Sequence, residues 1–442
     1  DANTLALLAI ASAVVLLAAG LLANLAPAKF AAQLVPTAFA TMLVSALVSL
    51  EAALALNVPL SILVGIVLGG DAFAMLANLL AGAAGAYSVS GLKDRVSMTR
   101  AAAYVGGMMA ITSLLYGLVS GDGEVMSVWY VGLANGIIST VMTLGCLPFF
   151  ESLFGLVSPM RLLELSNPGH PLLKRLLMEA PGTYHHSILV GNLAETAAQA
   201  VGADTLLVRV GALYHDAGKL KRPYFFVENQ FAQGNPHDKI SPALSTLVIT
   251  SHAKDGVELA RQHRLPPAVT DIIRQHHGTG LVQYFYARAA AGSGGTKDVA
   301  VAEDDFRYPG PVPQSVEAAI VMLADSVEAA VRSMPDTSPW QVKSMVKKIV
   351  WGKLNDGQLD QCDLTLRDLH SIENAFLGVL TGIYHERVEY PDLPQRKEED
   401  AEGDAPNAGG DNQQTGQGAG ERGDGESDQP GSDDGPEDDH AH

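Results

Sequence analysis

Residues 209–223 read RVGALYHDAGKLKRP, and the pair His215-Asp216 at the centre of this stretch determines how the second half of the chain is interpreted. The apolar residues before the pair recur at helical spacing, which predicts a helix ending at His215-Asp216, just before Gly218. An imidazole beside a carboxylate allows His215 to bind one cation while Asp216 bridges two. Two divalent ions held about 3.5–4 Å apart can activate a water near neutral pH and hold a phosphodiester.

Further candidate ligands lie on predicted helices on both sides of this pair. His252 precedes the amphipathic run AKDGVELARQH, the doublet His276-His277 closes PAVTDIIRQH, and Asp325 lies within the apolar run AAIVMLADSVEAAV. A carboxylate on an apolar helix needs solvent, a partner or a metal, because burying it unpaired is costly. Histidines and carboxylates from several helices of a bundle can form one metal centre. The candidate ligand set is His186, His215, Asp216, His252, His276, His277 and Asp325.

Spacing alone leaves this interpretation open. A lone histidine on a helix is more often a packed or exposed polar residue than a ligand, and each doublet can supply one ligand and one exposed residue. The pattern does not identify the metal.

The first third of the 442-residue chain, residues 1–155, has the composition of a membrane domain. Six apolar stretches approach the roughly 20 residues that a helix needs to cross a bilayer. The span at 52–70 contains Asn57 and Pro59, so a kink or a re-entrant segment is expected there. A soluble protein with buried helices is the alternative. The six stretches lie near 4–26, 31–50, 52–70, 72–90, 101–119 and 128–150.

Charged residues between the spans predict the orientation. The loop with Lys93, Arg95 and Arg100 and the basic region after residue 150 are expected in the cytoplasm, with the acidic loop 120–126 outside. Six alternating spans satisfy these assignments and place the downstream domain in the cytoplasm.

Residues 156–395 change to amphipathic helical periodicity, which predicts an all-α cytosolic domain containing one long Gly/Pro-bearing loop at 291–314. Residues 396–442 carry 15 Asp/Glu against three Lys/Arg and no aromatic residue, which predicts a disordered acidic tail. The formal charge is −19, and no basic stripe indicates a long nucleic acid as partner. Cys146 and Cys362 fit neither a disulfide framework nor a zinc pattern.

Six segments carry a resemblance to a known family. The chain resembles, from residue 1 to about 390, the seven-transmembrane HD receptors of the PgpH type, which are bacterial cyclic-di-AMP phosphodiesterases of the HD superfamily. That family normally has an extracellular sensory domain and one more membrane helix before the point where this chain starts. The resemblance therefore implies an N-terminally truncated, multi-pass protein of the bacterial cell membrane whose regulating sensor is missing. The segments are LLELSNPGHPLLKRL, PGTYHHSILVGNLAE, GALYHDAGKLKRPYFFVENQ, TSHAKDGVELA, IIRQHHGTGL and FRYPGPVPQSVEAAIVMLADSVEAAVRS.

The resemblance also implies a ligand set for two divalent ions, which in such sites are typically manganese or iron. His185 is then left facing the substrate or supporting the site. All seven expected ligands are present, so the resemblance implies an active enzyme that linearises cyclic-di-AMP to 5′-pApA. One ion is assigned to His186, His215, Asp216 and Asp325, and the other to Asp216, His252, His276 and His277.

Substrate contacts are predicted around the same motif. Lys219 directly follows HDAG and is expected to hold a phosphate oxygen in catalysis, with Arg222 assisting. A solvated lysine at a helix end is the alternative for Lys219. Tyr184 is a candidate for stacking on adenine, although packing in the core is at least as common for such a residue.

Two alternatives stand beside this function. The first is another HD phosphohydrolase, acting on cyclic-di-GMP or on nucleotides. The cyclic-di-GMP branch carries an Asp-Gly-x-Gly-Tyr-Pro signature after its histidine doublet, whereas this chain reads HHGTGLVQYFYA, which disfavours that substrate. A second alternative is a non-catalytic membrane receptor whose HD fold binds nucleotide. The expected partners are cyclic-di-AMP and the lipid bilayer, and a homodimer is possible.

Overall fold

The computed structural model describes residues 2–90, 95–230, 234–292 and 301–383, with the side chains of 95–98 and 292 excepted. These residues form 18 α-helices and five short 3-10 segments, and they contain no β-strand beyond one isolated bridge between Leu281 and Arg307. The prediction of an all-α protein is confirmed, whereas the predicted acidic tail at 396–442 lies outside the described residues. The first eight helices are α1 Ala2–Leu25, α2 Ala28–Leu34, α3 Thr37–Leu47, α4 Leu50–Val67, α5 Ala72–Val89, α6 Arg95–Ser120, α7 Gly123–Ser127 and α8 Trp129–Phe154.

The remaining helices form the downstream domain, and they alternate with turns and 3-10 segments. They are α9 Pro159–Leu165, α10 Pro171–Glu179, α11 Pro181–Val201, α12 Thr205–Tyr214, α13 Pro242–Gln262, α14 Pro267–Gln275, α15 Gln283–Gly292, α16 Val316–Arg332, α17 Pro339–Asn355 and α18 Leu366–Ile383.

Six helical stretches of the first part are long and apolar enough to cross a membrane, in agreement with the six predicted spans. The irregular span is the second and not the third. α4 runs unbroken through Pro59, whereas the second span is divided where α2 ends at Leu34 and α3 begins at Thr37, with Pro36 between them. Pro36 has no amide hydrogen to continue the helix, so the chain turns there.

Two asparagines on neighbouring helices satisfy the carbonyls that this break leaves free. Asn78 on α5 donates to the carbonyl of Ala32 at 3.0 Å. Asn135 on α8 donates to the carbonyls of Gln33 at 2.6 Å and Val35 at 3.0 Å. Backbone groups cannot stay unpaired in an apolar bundle, and these side chains take the role that water has at an exposed helix end.

The downstream domain is built on two hydrophobic clusters. One joins α11, α12, α16, α17 and α18, and the other joins α9, α10, α12, α13 and α14. Capping residues fix three of the helix ends in this domain. The side chain of Asp204 accepts from the first amides of α12, Ser315 does the same for α16, and Gly202 ends α11 with φ of 76°. α12 belongs to both clusters, so its C-terminal end is held between them.

Candidate metal centre

The seven candidate ligands come from five helices that converge at one point. His186 lies on α11, His215-Asp216 follow α12, His252 lies on α13, His276-His277 follow α14, and Asp325 lies on α16. Six of them are buried and His277 is partly buried. Their ligand atoms form two groups, each with all atoms within 4.8 Å of one another: His186, His215, Asp216 and Asp325, and Asp216, His252, His276 and His277. The structure thus brings the whole set together, and its role in binding metal stays a prediction.

A glycine in the HDAG motif allows this convergence. A 3-10 turn, Ala217–Lys221, follows Asp216 and presses against α13. A Cβ on Gly218 would lie 1.9 Å from the carbonyl oxygen of His252 and 2.5 Å from the amide nitrogen of Gly256. Because both contacts are with backbone atoms, a side chain at residue 218 would force the turn away from α13 and separate Asp216 from His252.

Three histidine rings are oriented by their own helices. Each Nδ1 lies within hydrogen-bonding distance of the carbonyl oxygen three residues earlier. A donated Nδ1–H fixes the tautomer in which Nε2 carries the lone pair, the form that binds a metal. The three bonds are His215 to Ala212 at 2.7 Å, His252 to Ile249 at 2.6 Å and His276 to Ile273 at 2.8 Å.

His186 is oriented by a carboxylate that sequence reasoning missed. Its Nδ1 lies 2.5 Å from Oε2 of Glu328, while its Nε2 lies 3.0 Å from Oδ1 of Asp325. Arg332 donates to the other oxygen of Glu328 at 3.1 Å. Glu328 follows Asp325 by three residues on α16, so both carboxylates share one face of the helix. That spacing was the available signal for Glu328.

Asp216 presents one oxygen to each group of ligands. Its Oδ2 lies 3.2 Å from Nε2 of His215 and 3.6 Å from Nε2 of His186. Its Oδ1 lies 3.3 Å from Nε2 of His252 and 3.8 Å from Nε2 of His276. A carboxylate that divides its two oxygens in this way has the arrangement of a bridging ligand.

Buried polar atoms that have no hydrogen-bond partner support a cation at this place. Nε2 of His215 and both carboxylate oxygens of Asp216 are buried without a hydrogen-bond partner. Nε2 of His252 and Nε2 of His276 lie 3.2 Å apart and face each other. Buried polar atoms of this kind are costly unless a partner binds them. The mixed nitrogen and oxygen donors fit a divalent transition-metal ion.

The two groups differ in their protonation. Burial lowers the pKa of His276 to about 3, and the protonated forms of His215 and His252 act in the same direction. Burial also acts to lower the pKa of His215, but Asp216 and Asp325 outweigh it and raise the pKa of this imidazole to about 10. For Asp216, burial alone would raise the pKa, yet the cations Lys219 and His215 hold it well below its usual range. The site therefore contains an ionised carboxylate and, at His276, a neutral imidazole available for coordination.

Lys219 lies in the site as the sequence predicted, between two carboxylates. Its Nζ lies 2.7 Å from Oδ2 of Asp216, an ion pair without hydrogen-bond geometry, and it donates to Oε1 of Glu228 at 2.7 Å. The ammonium also lies 4.9 Å from the ring centroid of Phe226. Glu228 accepts a further bond from Thr183 Oγ1 at 3.2 Å. Glu228 was missed because nothing in its local sequence distinguishes it from a solvated glutamate.

Three other predicted substrate contacts are not brought to the ligands. Arg222 donates to Ser251 Oγ at 3.0 Å and to Asp255 Oδ2 at 2.9 Å on the surface of α13. Tyr184 packs against the cluster of α9, α10 and α12–α14, and His185 is exposed. Their roles in binding substrate stay predictions.

Two residues near the ligands had no sequence signal. The ring of Tyr308 lies 4.2 Å from that of His277, inclined at 33°. It belongs to the predicted loop 291–314, of which 293–300 lie outside the described residues. Lys353 on α17 reaches the same region, since a Cβ on Gly280 would lie 3.4 Å from its Nζ. Burial lowers the pKa of Lys353, while Asp325 and Asp356 act to raise it.

Comparison with protein-family models matches both parts of the chain. Residues 1–158 match the family described as 7TM receptor with intracellular HD hydrolase, and residues 183–330 match the HD domain. Together with the six apolar helices, the first match indicates a membrane protein.

Two of the curated relatives share one name. Cyclic-di-AMP phosphodiesterase PgpH of Bacillus subtilis is 47% identical over 273 residues, which are 62% of this chain and 38% of that protein. The protein of the same name from Listeria monocytogenes is 40% identical over 316 residues, 70% of this chain and 43% of that protein. The chain thus spans about two fifths of the length of these relatives.

Among solved structures, the HD domain of the Listeria monocytogenes phosphodiesterase PgpH is similar to this chain. In its complex with cyclic-di-AMP it is 47% identical and covers 49% of this chain and 100% of that chain, with a TM-score of 0.47.

Proposed function

The chain belongs to the family of 7TM receptors with an intracellular HD hydrolase, and from this premise we propose that it is a membrane-anchored, metal-dependent phosphodiesterase that hydrolyses cyclic-di-AMP to 5′-pApA. The observation that carries the proposal is the pair of four-residue ligand groups that share Asp216. The two curated relatives named as cyclic-di-AMP phosphodiesterases support the choice of substrate. A homodimer stays a prediction.

The proposed cofactor is a pair of divalent ions, manganese or iron. His186, His215, Asp216 and Asp325 would hold one of them, and Asp216, His252, His276 and His277 the other. When bound, such a pair supplies an activated water and stabilises the negative charge that develops on a phosphodiester during in-line displacement.

Lys219 is proposed to hold a phosphate oxygen at this centre. Its ammonium already lies beside the shared carboxylate of Asp216, and Glu228 fixes its position from the other side. The pKa of Lys219 is raised, since Asp216 and Glu228 outweigh the effect of burial, so it carries a full positive charge at neutral pH. A charged donor at this place stabilises an anionic transition state more than a neutral substrate group.

Lys353 is a candidate for the second phosphate of the substrate. A cyclic dinucleotide carries two phosphates, and only one can be the site of cleavage at a time. Lys353 reaches the region of Asp325 from α17, and no carboxylate lies within 4.0 Å of its Nζ among the described residues. An ammonium without an ion pair beside the centre suits a second anionic group of the ligand.

We propose that the HD domain lies on the cytoplasmic side. Asn3 at the start of α1 donates to the carbonyl of Phe154 at the end of α8 at 3.0 Å, so both helix ends lie on one side of the bundle. Lys29 pairs with Asp122 at 2.9 Å, joining two segments of the side predicted to be outside. The predicted basic loop is described only in part, because Lys93 lies outside the described residues.

The proposal is tested with the full chain in lipid nanodiscs, supplied with Mn²⁺ and either cyclic-di-AMP or cyclic-di-GMP. We expect 5′-pApA as the product by mass spectrometry and little cleavage of the guanine analogue. Cleavage of cyclic-di-GMP alone would contradict the proposal that cyclic-di-AMP is the substrate. If the metal-loaded protein binds cyclic-di-AMP and leaves it intact, the result would instead support a non-catalytic receptor.

A further inference from the structure

A cavity of about 580 Å³ lies where the membrane helices meet the HD domain. Its walls come from the C-terminal part of α8, from the segment through α9, and from the loop 264–267 between α13 and α14. None of the seven candidate ligands lines it. The cavity is therefore separate from the metal centre.

One half of the cavity is apolar and belongs to a membrane-spanning helix. Leu144, Leu147 and Pro148 of α8 line it. Pro148 has no amide hydrogen, so the Leu144 carbonyl lacks its usual helical donor. On the preceding turns of α8, Ile137 and Val141 are 60% and 62% exposed, as expected for side chains that face lipid. The apolar wall thus continues a lipid-facing surface.

The other half of the cavity contains an arginine in an unusual backbone conformation. Arg264 has φ of 54° and follows the end of α13. The amide of Leu265 donates to the carbonyl of Ala260 at 2.9 Å, and that of Arg264 to Arg261 at 3.1 Å, the pattern of a helix end at which glycine is usual. A residue other than glycine in this conformation is strained, so replacing Arg264 with glycine relieves the backbone.

The ion pairs around the cavity do not include Arg264. Arg161 forms an ion pair with Glu164 at 3.3 Å, and the Oε1 of Glu151 accepts from the amide of Ser158 at 3.0 Å. Among the described residues, no carboxylate lies within 4.0 Å of the exposed guanidinium of Arg264. The two arginines and two glutamates that line the cavity balance in number, and Glu151 is bound by the Ser158 amide, so an anion placed at Arg264 would meet a guanidinium that has no ion pair of its own.

We propose that this cavity binds an anionic phospholipid, with the phosphate against Arg264 and an acyl chain along Leu144 and Leu147. The apolar wall favours a lipid over a free anion, because an inorganic phosphate would leave that surface without a partner. The Leu144 carbonyl can accept a hydrogen bond from a headgroup hydroxyl. The lipid would then contact the last membrane helix and the loop between α13, which carries His252, and α14, which precedes His276.

The test uses the full chain in nanodiscs that contain phosphatidylcholine and phosphatidylglycerol, followed by native mass spectrometry of the released protein. We expect wild type to retain phosphatidylglycerol preferentially. Arg264→Gly removes the guanidinium and suits the backbone, so the fold is kept, and retention should fall about tenfold, the loss expected for one charge-assisted hydrogen bond. The control is Arg274→Ala, because Arg274 is a partly exposed arginine that lies outside the cavity and pairs with Asp271.

Equal retention by Arg264→Gly and wild type would overturn the proposal, as would equal retention of phosphatidylcholine by wild type. Displacement of the lipid by millimolar inorganic phosphate would show an anion site in place of a lipid site. A thermal melt of each variant establishes that it is folded.

Discussion

Both the membrane bundle and the HD domain bury polar side chains, but they differ in whether the buried polar atoms have hydrogen-bond partners. In the membrane bundle, Asn78 and Asn135 donate to carbonyls at a helix break, and their side-chain oxygens accept from the hydroxyls of Thr37 and Ser139. In the HD domain, His215 and Asp216 are buried to the same extent, yet their inward-facing atoms have no hydrogen-bond partner. A satisfied buried amide holds a fold together, whereas unsatisfied ionisable atoms that converge mark a place for a ligand.

Gln33 is an exception to the rule that buried polar side chains in the membrane bundle have hydrogen-bond partners. It lies in the membrane bundle, and both polar atoms of its side chain are buried without a partner. It is a neutral amide with no ionisable group brought to it, so it lacks the convergence seen at Asp216. The comparison therefore predicts that Gln33 has no ligand-binding role of the kind assigned to Asp216.

The largest effect is expected from Asp216→Asn. The change removes the shared negative charge while keeping the shape, so hydrolysis of cyclic-di-AMP should fall by at least about a thousandfold. Initial rates by liquid chromatography at saturating Mn²⁺ measure it. Asp271→Asn, an exposed carboxylate on α14, is the matched control and should keep wild-type rates. Hydrolysis by Asp216→Asn within tenfold of wild type would remove Asp216 from its proposed role.

A smaller effect is expected from Glu328→Gln. The amide can still hydrogen-bond to His186 but loses the charge that raises the basicity of this ring, so metal affinity or activity should fall about 10–100-fold. Measuring the hydrolysis rate as a function of Mn²⁺ concentration distinguishes a loss of metal affinity from a loss of activity. Glu317→Gln on the same helix is the control, because within the described part of the chain Glu317 accepts one bond, from the amide of Asp204 at 3.3 Å. Identical titration curves for Glu328→Gln and wild type would show that the contact with His186 is structural only.

The smallest effects concern the membrane bundle. Asn78→Leu removes bonds to Ala32, Ala74 and Thr37 and should destabilise the protein by about 1–2 kcal/mol. Gln33→Leu removes an unsatisfied amide and should leave the melting temperature unchanged or raise it. Thermal unfolding in one detergent compares the two variants. A larger loss of stability in Gln33→Leu than in Asn78→Leu would reverse the comparison.

Local signals in the sequence were enough to place most of the site. His215 and His276 stand at helix ends, and Asp325 interrupts an apolar helix, so their inward positions followed from helical periodicity. The family resemblance then divided the ligands into two sets, and the structure groups the same residues in the same way. Their metal-binding role has still to be measured.

What the sequence could not supply were contacts between distant segments. Glu228 meets Lys219 and Thr183 only because the chain folds back over α11, and Tyr308 reaches His277 from a loop. Two prolines of the membrane domain show the same limit. Pro59 lies within a continuous helix, whereas Pro36 lies at a break whose free carbonyls are bound by Asn78 and Asn135 from distant helices.

The most direct test of the central claim is the number of metal ions that each chain binds. The purified 442-residue chain is loaded with Mn²⁺, dialysed and measured by elemental analysis against protein concentration. Two ions per chain are predicted for wild type, and one for His276→Ala, which removes a ligand from only one of the two groups. A wild-type chain that retains one ion or none under these conditions would contradict a two-ion centre shared through Asp216.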